Sequence, residues 1–185
     1  MVLFVNLTQA QESNFSVELN YPVPVDNNFM GENYKGIIDF GIAYRFIDLN
    51  IAKIGVSANA GFYADNDNEE TGFDEREVSV FAVQPRAFIE FDLEENSKFR
   101  PRIGLGYTSM HFKLNELPPN FIGELEDSET LGGFNLNLGV GFNFSSKFFA
   151  LIQYDFVKLP NKSGFPDSNY AENVNLLKIG VGFRF

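Results

Sequence analysis

The single histidine of this 185-residue chain, His111, is the side chain best suited to moving a proton near neutral pH. Ser109 stands two positions earlier, so on an extended strand the two side chains share a face. That pair suggests a hydroxyl activated for attack on an acyl group, provided an acid orients the imidazole. Glu124, Glu126 and Glu129 are candidates for that acid only by closeness in sequence. A polar pair at a surface is the plainer reading. A second constellation is Asp65-Asn-Asp67-Asn-Glu69-Glu70, whose oxygens suit Ca²⁺ or Mg²⁺. It lacks the glycine at the sixth position and carries Arg76 at the twelfth, so it is no EF-hand. Asp65, Asp67 and Glu69 are weak candidate ligands, and a solvated acidic loop is the simpler account. Zero cysteines remove thiolate metal sites, disulfides and a cysteine nucleophile. The paired Gly-x-Gly elements precede no helix and so lack the phosphate-binding context. No cofactor is expected.

The third constellation is larger. Glu18, Asp39, Arg45, Lys53, Arg86, Glu90, Arg100, Arg102, Asp155, Lys178 and Arg184 are scattered along the chain but share one parity. The elements that carry them alternate with period two, as strands do. Eight segments show it: 14–21, 36–46, 52–62, 79–91, 99–111, 134–144, 148–156 and 177–185. Their other face holds eighteen aromatic rings and no Asp, Glu, Lys or Arg. Residues 47–51, 92–98 and 145–147 read as short polar turns. Residues 22–35, 63–78, 112–133 and 157–176 are long connections rich in Asn, Asp, Glu, Pro and Gly. Pro85 lacks the amide that a central strand needs, which predicts a bulge there or a strand whose membrane portion begins later.

Volume decides which face is inside. An eight-stranded barrel is barely wide enough to be filled by side chains, and eighteen rings exceed that space. The glycine-rich, asparagine-rich and charged face fits a cramped lumen, leaving the aromatics to face lipid. The expected fold is therefore all-β: an eight-stranded antiparallel up-and-down transmembrane barrel with short periplasmic turns and long extracellular loops. No apolar run reaches the 18 or more residues a membrane helix needs. The net charge of −11 argues against nucleic acid, which binds basic surface. Residues 64–77 carry seven acids against Arg76 alone.

A short pattern recurs at 41–46, 139–144 and 180–185, with 86–91 ending alike. Each even-numbered strand thus closes on an outward ring: Phe46, Phe91, Phe144 and Phe185, half of an aromatic girdle. On these features residues 12–185 resemble the small OmpA/OmpX-like outer membrane protein β-barrel domains. The resemblance implies a bacterial outer-membrane, multi-pass location with both termini periplasmic. It also implies that Phe183 and Phe185 belong to a C-terminal signal read by the barrel-assembly machinery during insertion. Outer-membrane lipid and lipopolysaccharide are the expected surroundings, and no surface partner is identified. Residues 1–10 resemble the remnant of a signal peptide, leaving 11–185 as the barrel domain.

Function follows less directly. A non-enzymatic structural or surface-interaction protein with acidic extracellular loops is the first reading. A porin-like small-solute pore is the alternative, and a lipid A-modifying hydrolase using His111 is the third. Outer-membrane lipid A deacylases place His and Ser on a lipid-facing strand, but their order is reversed here.

Overall fold

The computed structural model describes residues 14–66, 78–93, 97–114, 128–160 and 169–185. Eight strands form one closed barrel: β1 (Phe15–Val25), β2 (Tyr34–Asp48), β3 (Ala52–Asp65), β4 (Val78–Phe91), β5 (Phe99–Leu114), β6 (Ser128–Asn143), β7 (Phe148–Lys158) and β8 (Asn173–Arg184). Two short helices, α1 (Phe29–Asn33) and α2 (Asn169–Glu172), lie in the first and last long connections. Every neighbouring pair is antiparallel, and β1 closes on β8 from Ser16↔Arg184 to Val25↔Asn175. Closure pairs the backbone all round, which a sheet in lipid requires. The residues 1–10 assigned to a signal remnant lie outside the described residues.

The alternation places the faces as charge and volume demand. Phe40, Phe62, Tyr107, Phe134, Leu138 and Ile152 are exposed on the outer surface. Phe46, Phe91, Phe144, Phe148 and Phe185 ring the rim that carries the short turns, with Phe15–Phe185 centroids 5.6 Å apart and Phe148–Phe183 5.0 Å apart. Tyr21, Phe62, Phe81, Tyr107, Phe134 and Tyr154 stand exposed near the other rim, Phe62 and Phe81 with centroids 4.8 Å apart. The second half of the girdle was therefore also in the alternation.

Four expectations change. The strands run further into the long connections than the sequence pattern indicates: β1 reaches Val25, β5 Leu114, and β6 begins at Ser128. Beyond the outer aromatic ring the alternation inverts. Tyr63, Val80, Met110, Val157, Val174 and Leu176 turn inward and are buried, while Lys113 and Thr130 turn outward. A strand segment clear of lipid packs as it would in water, apolar side in, and a parity rule tuned to lipid stops there. The lumen is consequently not polar throughout: Met30 of α1, Tyr34 and Leu159 join an apolar layer at this end.

Pro85 forms no bulge. It lies opposite Ala58 in the β3–β4 ladder, and the β4–β5 register is the same at Val83↔Ser109 and Arg86↔Gly106 on either side of it. The register shifts fall instead in β2, between Gly36 and Ile38 and between Arg45 and Ile47. Finally, the β2–β3 connection is not polar: Leu49 and Ile51 are 53% and 74% exposed.

Candidate functional site

The interior is built by the small residues of the lumenal face. Glycine at 41, 55, 182 and their neighbours leaves room for long side chains from facing strands. Phe149 lies against Gly182, and Phe88 against Gly55. Arg102 stacks on Phe88 at 4.6 Å and Arg184 on Phe149 at 4.5 Å, so the two inward rings at the turn rim each support a guanidinium.

The expected lumenal charges come together in two groups. Nearer the turn rim, Arg45 donates to both Glu90 oxygens (2.9 and 2.8 Å), and Arg102 reaches Glu18 at 2.9 Å and Glu90 at 3.2 Å. Arg184 lies 3.6 Å from Glu90 and donates to Asn143 at 2.7 Å. Deeper in, Lys178 bridges Asp39 (2.8 Å) and Asp155 (3.0 Å), while Arg86 holds Asp155 at 2.6 Å and donates to Asn59. Asn20 and Asn59 donate to Asp39 at 2.8 and 2.7 Å. Asn137 donates to Asp155 at 2.6 Å. The buried acids Glu18, Asp39, Glu90 and Asp155 are thus matched by Arg45, Arg86, Arg102 and Lys178. Burial of so many charges is tolerable only because each is paired and hydrogen-bonded.

Lys53 and Arg100 sit at the rim itself. Lys53 lies 3.8 Å from Asp48 and 3.9 Å from Asp92, and Arg100 pairs with Asp92. Sequence reasoning missed these two turn acids because they lie outside the alternating segments. It also missed Asn20, Gln84, Thr108 and Gln153, although each has the lumenal parity and is buried. Three of the contacts cross the whole lumen, one of them Arg184 to Glu90, from β8 to β4. Arg102 to Glu18 joins β5 to β1, and Lys178 to Gln84 (2.5 Å) joins β8 to β4; each pair lies half-way round an eight-strand ring. Asp39, Asp155, Lys178 and Gln84 are fully buried. Chemically the arrangement is a set of paired struts in which each buried acid has a cationic partner and Arg184 adds one further cation beside Glu90.

At the loop end α1 packs Met30 onto the apolar layer. Asn28 caps the helix, accepting from the Gly31 amide at 2.8 Å. Tyr170 of α2 donates to Glu32 at 2.8 Å, and the Asn66 amide to the Asn33 carbonyl at 2.8 Å, tying three connections together. That shared hydrogen bond with the carboxylate pushes the Tyr170 phenol up from its ordinary pKa.

Among the described residues His111 is paired with Thr130 rather than with Ser109 or an acid. His111 and Thr130 are register partners, and imidazole Nδ1 is 2.9 Å from the Thr130 hydroxyl. Among the described residues no hydrogen bond joins His111 to Ser109, whose cross-strand neighbours are Val83 and Gly132. Glu129 is opposite Phe112, on the alternate face. Glu124 and Glu126 lie outside the described residues, as do Asp67 and Glu69. Asp65 ends β3 opposite Tyr34. Among the described residues no group of three or more His, Cys, Asp or Glu could hold a metal ion.

A closed eight-stranded antiparallel barrel with aromatics outside and ion pairs inside is an integral membrane barrel. The chain belongs to the outer membrane protein β-barrel domain family, which matches residues 1–185. Its location is the bacterial outer membrane. Similar solved structures include neisserial surface protein A, with a TM-score of 0.62 and 13% identity over 94% of this chain and 98% of that one. Ail of Yersinia pestis, in complex with the heparin analogue sucrose octasulfate, gives 0.58 and 17% over 92% and 97%. OprG from Pseudomonas aeruginosa gives 0.55 and 12% over 94% and 96%. At these identities the likeness concerns the fold. No curated protein matches the sequence.

Proposed function

We propose that this protein is a sealed, non-enzymatic outer-membrane barrel, acting as a structural or surface-interaction protein through its long connections. One observation carries the reading. The Arg102–Glu18 and Lys178–Gln84 contacts span opposite walls within a buried network, which supports a lumen filled by paired side chains at that level. A small-solute pore would need those struts withdrawn, and a hydrolase would need an acid beside His111 where Thr130 stands. In this reading the short turns and both termini face the periplasm, and the long connections face outward among lipopolysaccharide. The outer surface meets outer-membrane lipid, and Phe183 and Phe185 serve the barrel-assembly machinery during insertion.

The charge of the connections narrows the partner. Ail is solved with a polysulfated ligand, whereas residues 64–77 here hold seven acids against one base. A field of that sign repels polyanions and favours cationic or cation-bridged surfaces. The direct test is planar-bilayer recording of purified, refolded protein. Silence is expected; reproducible, ion-selective unitary openings would replace the sealed barrel with a pore.

A further inference from the structure

The turn rim is asymmetric in a way that the lumen does not explain. The β6–β7 turn is Ser145-Ser146-Lys147, polar and exposed. The β2–β3 turn instead presents Leu49 and Ile51, 53% and 74% exposed, Ile51 being the most open large apolar side chain of the described residues. They are not isolated. The register shift between Arg45 and Ile47 turns Phe46 and Ile47 outward together, both exposed. The lipid-facing band of β2 therefore runs through Phe46 and Ile47 to the edge of the turn, where the exposed Asp48 separates it from Leu49. Leu93, 62% exposed, stands at the start of the neighbouring connection, and the Asp92 amide donates to the Ile51 carbonyl at 2.9 Å.

The backbone of this turn is also satisfied from within. The Leu49 amide donates to the Ala52 carbonyl at 2.9 Å, the Ile51 amide to the Leu49 carbonyl at 2.8 Å, and the Asn50 amide to Asp48 Oδ1 at 2.9 Å. Asn50 takes a positive φ of 67°, which asparagine tolerates in tight turns. A turn that bonds its own amides can approach hydrocarbon without the cost of bare donors. Lys53, near both Asp48 and Asp92, and Arg100, paired with Asp92, together balance the two acids at this rim.

We propose that the β2–β3 turn inserts Leu49 and Ile51 into the acyl chains of the adjacent leaflet. The barrel then sits deeper on its β2–β4 side than at the β6–β7 turn. The occupant is lipid hydrocarbon, because these side chains lie at the edge of a surface already facing it.

The chain has no cysteine, so single reporters are clean. Ile51→Cys, Leu49→Cys and Ser146→Cys would each carry an environment-sensitive fluorophore in the full chain, refolded into phosphatidylcholine nanodiscs that expose both faces. Heat-modifiable gel mobility confirms folding of each, and three sites ensure that one failed variant does not end the test. The expected result is strong quenching at 49 and 51 by brominated acyl chains, with iodide quenching several-fold weaker than at 146. Equal iodide quenching at all three sites would overturn the proposal. So would protection from iodide without quenching by brominated lipid, which would mean that a second copy of the chain covers the turn.

Discussion

Lys178→Met tests whether the interior is as dry as its geometry implies. The methionine keeps most of the side-chain volume and deletes the ammonium. Lys178 holds Asp39 at 2.8 Å, Asp155 at 3.0 Å and Gln84 Oε1 at 2.5 Å, with no exposure. The two acids are not equally damaged. Asp155 retains Arg86 and Asn137, each at 2.6 Å. Asp39 retains only the neutral donors Asn20 and Asn59, because Lys178 is its one cationic partner among the described residues. Removing one member of a buried pair costs about 3–5 kcal/mol, most of it from the charge left behind. Two surviving hydrogen bonds to Asp39 place the expected loss near the lower end, at about 3 kcal/mol. Adding Asp39→Asn removes the stranded charge, so the double variant should recover about 1–3 kcal/mol of that loss. Urea unfolding in lipid vesicles, followed by circular dichroism because the chain has no tryptophan, measures both variants. A single-variant cost below about 1 kcal/mol, the range of exposed pairs, would show that water reaches the pair and that the lumen is not sealed.

Other outcomes follow from the same geometry. Leu138, exposed on the outer face of β6, should tolerate methionine, whereas Leu138→Arg should cost about 2–4 kcal/mol near mid-membrane; equal stabilities by vesicle unfolding would reverse the face assignment. Gly182→Ala places a methyl group into the Phe149 ring, which Arg184 holds from another side, so about 1–3 kcal/mol should be lost, read as a lower urea midpoint. Phe185 bonds through its amide to the Phe15 carbonyl at 3.1 Å and packs on Phe15 and Phe183. Its deletion should reduce assembly in cells, scored by heat-modifiable mobility, well beyond any loss of refolding in vesicles. Wild-type assembly would remove the signalling role.

The sequence alone determined the strand number, the outward face and the closure of β1 on β8. The reason is that lipid acts on every second residue in the same way, so the pattern at Phe134, Leu136, Leu138 and Val140 is local and needs no knowledge of a partner strand. It also determined that Arg45, Glu90, Arg102, Asp155 and Lys178 would share the lumen, because parity alone sorts them. Tertiary structure decided who pairs with whom. Arg102 meets Glu18, 84 positions away, and Lys178 meets Gln84, 94 positions away, across a cross-section whose occupancy depends on strand stagger. It also decided where the rule reverses. Above the outer aromatic ring, Val80, Met110 and Val157 are driven inward by water, as lower down Phe134 and Leu138 are driven outward by lipid. Position relative to the membrane sets that boundary, and it becomes defined only once all eight strands have fixed their register.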